Sequence, residues 1–586
     1  MRHLSAIAIA FALFCGVCST AFAFTREPVA AKNGMVVTSQ AEATRVGVEI
    51  LRRGGNAIDA AVAVAYALAV TNPCCGNIGG GGFATIHLAD RRDVFVNFRE
   101  KAPLAATRTM YLDDKGEIIK SLSLEGYRAV GVPGSVLGLD TLLQKYGTMT
   151  RANVMAPAIA LAEDGFTLSQ GDADILARET GVFVKEANAV AIFLNNGKPW
   201  AAGDRFIQSD LARTLKLIAV QGPDAFYKGP IADAVVAASQ AHGGILSKED
   251  FASYSVSEAE PVRCTYRSLA IISAAPPSSG GTTICQILNI LEAYPMGEMG
   301  YNAAAGVHLM AEAMRHAFVD RNFLLGDPDF VKNPVEQLVS KSYAAKIRTS
   351  IDPAKATSSK DVQQGTPPHE GMETTHYSIV DSKGNAVAVT YTINALFGAG
   401  VIAGDTGFFL NDEMDDFTIK PGAPNLFGLI QGEKNAIAPG KRPLSSMSPT
   451  IVMKDGKVLM VTGSPGGSRI ISIVVQTIMN VADYGMTIQE AVNAPRIHHQ
   501  WMPDQITAEP FALSPDTKKI LEAMGHKIVE QSPWGAAEAI LIGPESPLGS
   551  STETSGNDAT ATHNPDAGLL LGGHDDRRPA GAAAGF

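Results

Sequence analysis

The alternation of apolar and polar positions changes character several times along the chain. In "AEATRVGVEILRRGGNAIDAAVAVAYALAV", apolar residues recur at helical spacing and predict two helices broken at Gly54-Gly55, with Thr38 or Ser39 as the first N-cap. The second is apolar on nearly every side, which predicts burial between layers. "CCGNIGGGGFATIHLADRRDVFVNFREKAP" reads as a glycine-rich turn leading into a hairpin, with Arg99 at the end of its second strand. From about Ala152 to Leu338 the pattern is mostly helical. Residues 351–373 are polar and rich in Pro, Ser and Gly, which predicts an exposed linker. Strand alternation dominates after it and returns in "LSSMSPTIVMKDGKVLMVTG". "GSPGGSRIISIVVQTIMNVADYGM" is a glycine turn into a helix, and a low-complexity stretch at about 545–568 reads as disordered. The mixture predicts sheets covered by helices on both outer faces, an α/β or α+β layered core.

One hairpin stands out. "TTHYSIV" and "AVAVTYTIN" flank Asp381-Ser382-Lys383-Gly384-Asn385, a run of good turn formers. If Val380 faces Ala386, Thr374 faces Thr392; a loop one residue shorter puts Tyr391 opposite instead. Either register brings the two hydroxyls within reach, because facing Cβ atoms lie ~4.5–5.5 Å apart. Threonine is common in strands, so the pair alone proves little. The linker ending at Glu373 gives it meaning. A cut there makes Thr374 an N-terminal residue, whose α-amine, with an unperturbed pKa near ~7.7–8.0, can take the proton from its own hydroxyl.

Composition narrows the classes. At 586 residues, with 46% apolar and 18% charged residues, the chain is globular with a large core. A net charge of −11 and the lack of any long basic run argue against a nucleic-acid partner. "MRHLSAIAIAFALFCGVCSTAFA" has a basic start, a short apolar stretch and Ala21-Phe22-Ala23, which predicts a signal peptide cut after Ala23. The apolar stretch is shorter than the ~20 residues of a spanning helix, so export without a membrane anchor is expected, to a periplasm. Cys74, Cys75, Cys264 and Cys285 remain after that cut. They are expected as buried thiols, since four cysteines in so long a chain make no disulfide framework.

The hairpin, "NDEMDDF", "RPLSSMSPT" and "GSPGGSRII" together resemble the γ-glutamyltranspeptidase family. The likeness extends through "NFREKAP", "PPSSGG", "GDPDF" and "APRIHHQW", and runs from about Met35 to the end, with the low-complexity stretch as its chief gap. It implies the N-terminal-nucleophile hydrolase fold, an α+β four-layer αββα sandwich. It also implies a precursor that cleaves itself between Glu373 and Thr374. The products are a large chain of residues 24–373 and a small chain of 374–586, which stay together as a heterodimer.

By the same resemblance Thr374 is the nucleophile, Thr392 hydrogen-bonds it, and Gly466 and Gly467 form the oxyanion hole. Arg99, a planar guanidinium suited to a bidentate grip, holds the substrate α-carboxylate with Ser445 and Ser446. Asp416 pairs with the α-ammonium, assisted by Glu413 and Asn394. Phe427 stands at the tip of a lid, where many bacterial members have tyrosine. The implied substrates are small molecules: glutathione and other γ-glutamyl donors, with water or the amine of an amino acid or peptide as acceptor. Two other readings compete. A glutaryl amide acylase has a substrate without an ammonium and no need of Asp416. A secreted binding protein that never matures needs no nucleophile.

Other motifs fall away. "NDEMDDF" lacks the glycine and spaced acids of an EF-hand, and no lysine follows "GSPGG" as a phosphate loop requires. "HEGMETTH" has the wrong spacing for a zinc protease, and His498-His499 are adjacent rather than one helical turn apart. No metal or organic cofactor is indicated.

Overall fold

The computed structural model describes residues 25–362, 374–543 and 568–586. The expected leader with its cut after Ala23, Glu373, and nearly all of the low-complexity stretch lie outside the described residues.

Two seven-stranded antiparallel sheets form the middle of the molecule. One runs, in spatial order, Ala582–Gly585, Gly34–Thr38, Thr375–Asp381, Ala386–Thr392, Gly81–His87, Asp93–Phe98 and Ser257–Ala259. The other runs Val29–Ala31, Leu569–His574, Glu538–Gly543, Lys457–Thr462, Thr450–Lys454, Leu269–Ser273 and Val262–Tyr266. Their facing sides bury Met35, Val37 and Ala388 against Ile272, Ile451, Val461 and Ile540. Each such large aliphatic side chain contributes about 1.5–3 kcal/mol by leaving water.

Helices cover both outer faces. Ala57–Thr71 lies on the first sheet with all its residues buried, as its all-round apolar pattern predicts. Its alanines let the hairpin come close: Tyr377 and Tyr391 donate their hydroxyl hydrogens to the carbonyls of Ala61 and Ala65, at 3.0 and 2.9 Å. Gly280–Leu291 covers the second sheet, with Ile470–Ala482 and Ala304–Leu324 beside it. The result is the expected four-layer αββα sandwich.

Two expectations change, and the mostly helical reading of 152–338 holds with short strands added. The first helix is Ala41–Arg52, and its N-cap is Gln40, whose side chain accepts from the Glu42 N–H. Thr38 is occupied by Thr44 Oγ1 at 2.9 Å and Ser39 by Thr375 Oγ1 at 2.8 Å, so neither is free to cap. The stretch read as mostly helical contains the strands Val262–Tyr266 and Leu269–Ser273, joined by a turn with Arg267 at φ 56°. Their alternation is short, and a helix-rich context hides it. The cysteines are not thiols: Cys264 is bonded to Cys285, and Cys74 to its neighbour Cys75. The helix carrying Cys285 packs on the strand carrying Cys264, which brings the two Cα atoms to 5.8 Å, within disulfide range.

Candidate active site

Thr374 sits at the mouth of the first sheet, one residue before its strand, and is 5% exposed. Val380 pairs with Ala386 and Thr375 with Tyr391, so the register carries Thr374 to Thr392. Its hydroxyl donates to Thr392 Oγ1 at 3.4 Å, and the Asn394 N–H donates to the same oxygen at 2.8 Å. Thr392 is therefore held from the chain that follows it. Asn394 has φ 74°, a left-handed geometry that asparagine tolerates. Its side chain donates to the Asp412 carbonyl at 3.1 Å.

A small cleft opens beside Thr374, lined by Thr392, Asn394, Arg99, Glu413, Asp416, Ser445, Ser446, Phe427 and Gly467. Every expected site residue that is described lines it except Gly466, which immediately precedes Gly467 in the chain. Gly466 and Gly467 have φ 135° and 53°, values that favour glycine, and together they turn the strand Lys457–Thr462 into the helix Ile470–Ala482. A Cβ on Gly467 would stand 2.3 Å from the Phe427 ring. Phe427 thus closes directly over the glycine turn.

Arg99 is buried with three acids. Its guanidinium bonds to Glu413 and to Asp416, and lies 3.5 Å from Glu100. Burial works against its charge, but the acids outweigh that and raise its pKa. Burial also pushes the Glu413 carboxyl well above its usual range, and Glu100 up to about 7, in each case against the pull of Arg99. Glu413 Oε2 has no hydrogen-bond partner among the described residues.

The segment that carries Phe427 is held by hydrogen bonds on either side of the ring. Asp415 accepts from the Leu426 N–H at 2.8 Å and from the Ser123 hydroxyl at 2.7 Å. Gln500 donates to the Phe427 carbonyl at 3.1 Å. Burial raises the Asp415 pKa to about 6, although the two hydrogen bonds oppose it.

The family model described as gamma-glutamyltranspeptidase matches residues 43–562. The chain belongs to the gamma-glutamyltranspeptidase family. It is 57% identical to the glutathione hydrolase proenzyme of Pseudomonas sp. (strain A14), over 100% of this chain and 99% of that one. It is 50% identical to the glutathione hydrolase proenzyme of Escherichia coli (strain K12), over 91% and 92% of the two chains. Among solved structures it is similar to a cephalosporin acylase from Bacillus halodurans, with a TM-score of 0.81, 28% identity, and 98% and 99% of the two chains covered.

In this gamma-glutamyltranspeptidase family member, sequence reasoning left out one residue that lines the cleft and one that braces its serine pair. Arg321, in "VDRNFLLGDPDF", lines the cleft and reaches Ser446. Ser279, in "PPSSGG", donates to the Ser445 carbonyl at 2.6 Å and ties that loop to the serine pair. A buried arginine in the last turn of a helix carries no local mark of which loop it faces. The "PPSSGG" motif was visible, but its partner lies 166 residues away.

Proposed function

We propose that this chain is a self-cleaving enzyme that transfers or hydrolyses γ-glutamyl groups, with glutathione as a donor. The convergence of Thr374, Thr392, Arg99, Asp416 and the glycine turn on one cleft carries this reading. The Thr374 hydroxyl attacks the Glu373 carbonyl, and hydrolysis of the resulting ester leaves a large chain of residues 24–373 and a small chain of 374–586. The freed α-amine of Thr374 then takes the hydroxyl proton as Oγ attacks the γ-glutamyl amide. The C–N bond breaks, the leaving nitrogen receives that proton, and an ester to Thr374 remains. Water or an amino acid or peptide amine attacks this ester and regenerates the hydroxyl.

Each remaining group has a task. Backbone N–H groups at Gly466 and Gly467 stabilise the developing oxyanion. Arg99, Ser445 and Ser446 hold the α-carboxylate. Asp416 and Glu413 hold the α-ammonium, with Asn394 beside them; binding the substrate head exchanges part of their hold on Arg99 for the new cation. Phe427 covers the acyl group, as a ring that cannot donate a hydrogen bond.

The likeness to a cephalosporin acylase favours a second reading, a glutaryl amide acylase. Its substrate carries the carboxylate but no ammonium, so Asp416 and Glu413 speak against it. The leader of residues 1–23 supports export, to a periplasm. Among the described residues no helix is long and apolar enough to cross a membrane.

A denaturing gel with intact mass and N-terminal sequencing tests the proposal. Two chains are expected, the smaller beginning Thr-Thr-His-Tyr, and Thr374→Ala must abolish both the cut and γ-glutamyl turnover. A single chain stable under long incubation would sink it.

A further inference from the structure

Two buried guanidiniums line the cleft, and their surroundings differ sharply. Arg99 is matched by Glu100, Glu413 and Asp416. Arg321 is 1% exposed, yet its hydrogen bonds all go to neutral groups. Nε donates to Ser279 Oγ at 3.1 Å, Nη1 to Asn322 Oδ1 at 3.0 Å and Gln431 Oε1 at 2.9 Å, and Nη2 to Ser446 Oγ at 3.1 Å. Burial lowers its pKa only to about 10, so it is charged at neutral pH. No carboxylate hydrogen-bonds it among the described residues, and only the Coulombic pull of Asp416 favours its charge; such a buried cation is costly unless a ligand offsets it.

The hydroxyl geometry says which ligand group does so. Ser446 Oγ already accepts from Arg321, and makes no other hydrogen bond among the described residues. Its own proton is left to donate. Ser445 Oγ likewise accepts from the Met447 N–H at 3.1 Å, which leaves its proton to donate. Arg321 also fixes the position of this pair, because Ser279 Oγ accepts from Arg321 and donates to the Ser445 carbonyl at 2.6 Å. The cross-brace joins "PPSSGG" to "PLSSMSP".

Resting on the γ-glutamyl reading above, we propose that Arg321 is a positioning residue for the substrate carboxylate. It orients the Ser446 hydroxyl as a donor and adds to the positive charge of Arg99, which three acids offset in part. It acts through Ser446 rather than by contact with the reacting atoms. It selects acyl donors that carry a carboxylate at the far end, whether or not they carry an ammonium.

Three p-nitroanilides separate this role from simple loss of structure. The γ-glutamyl donor has both carboxylate and ammonium, the glutaryl donor only the carboxylate, and the 4-aminobutyryl donor only the ammonium. In Arg321→Gln, kcat/KM for the first two should fall about 10- to 100-fold, chiefly through KM, the range expected for one lost charge-assisted contact. The 4-aminobutyryl value should hold. Arg321→Lys should restore part of the loss, and Arg321→Gln combined with Ser446→Ala should cost less than the sum of the two. Self-cleavage of each variant into two chains checks that the fold survives. Equal losses on all three donors, or full additivity with Ser446→Ala, would overturn the proposal. A wild type that turns over the glutaryl donor but not the γ-glutamyl one would instead remove the underlying reading, while the glutaryl and 4-aminobutyryl pair still tests Arg321.

Discussion

Thr392 Oγ1 accepts from the Thr374 hydroxyl at 3.4 Å and from the Asn394 N–H at 2.8 Å. The partner of the candidate nucleophile is thus positioned by the same loop that leads to the acidic cluster. Thr392→Val keeps the shape and removes both bonds. It should slow self-cleavage and γ-glutamyl turnover by about 10- to 100-fold, from ~1–3 kcal/mol of lost contact and an unpaired buried N–H. The time course of chain separation on a denaturing gel measures the first, and a p-nitroanilide assay the second. Unchanged rates would mean that Thr392 does not orient Thr374.

On the proposed reading, Asp416 should separate the two acyl donors. It bonds to Arg99 and lines the cleft, with Glu413 on the other guanidinium nitrogen. Asp416→Asn should lower γ-glutamyl kcat/KM on the order of 10²-fold, since a charged partner of the ammonium is lost. Glutaryl turnover should change far less. Equal losses on both would remove the ammonium contact.

The segment around Phe427, proposed as a lid, should respond to pH through Asp415. Its carboxyl accepts from the Leu426 N–H, next to Phe427, and its pKa is raised to about 6. A raised acid pKa means that the folded protein holds this proton more tightly than the unfolded chain. Asp415 therefore favours folding at low pH, and loses that contribution as pH rises from about 4 to about 6. The ionised form above pH 6 is the stronger acceptor and grips the lid harder. Hydrogen exchange at the Leu426 amide, corrected for its intrinsic rate, should be better protected at pH 7.5 than at pH 5. Asp415→Asn should flatten that difference, and a flat wild-type profile would contradict the grip.

The paired cysteines make a plain test. Alkylation of the unreduced, denatured protein should leave Cys74, Cys75, Cys264 and Cys285 unmodified, read by peptide mass. Cys264→Ser should lower stability to urea by ~3 kcal/mol, the loop-closure value for a span of 21 residues. A smaller loss with alkylated wild-type cysteines would restore the thiol expectation.

Local rules were enough for part of this molecule. The turn formers at 381–385 and the period-two alternation of strands narrow the hairpin to two registers, either of which brings Thr374 within reach of Thr392, and the pairing of Val380 with Ala386 is one of the two. The buried helix Ala57–Thr71 follows from an apolar pattern with no polar face. Arg99 at its strand end and the glycine turn at 466–467 were legible for the same reason, since each sits where one short element hands over to the next.

Packing decided the rest. Arg99 reaches Asp416 across 317 positions, Arg321 reaches Ser446 across 125, and Cys264 finds Cys285 only because a helix lies on its strand. Ser39 could have capped a helix by its residue type, yet the neighbouring hairpin strand claims its hydroxyl. A side chain's identity states which bonds it can make, but which partner arrives is set by how sheets and helices stack, and the energies of those long-range contacts appear only once the layers close.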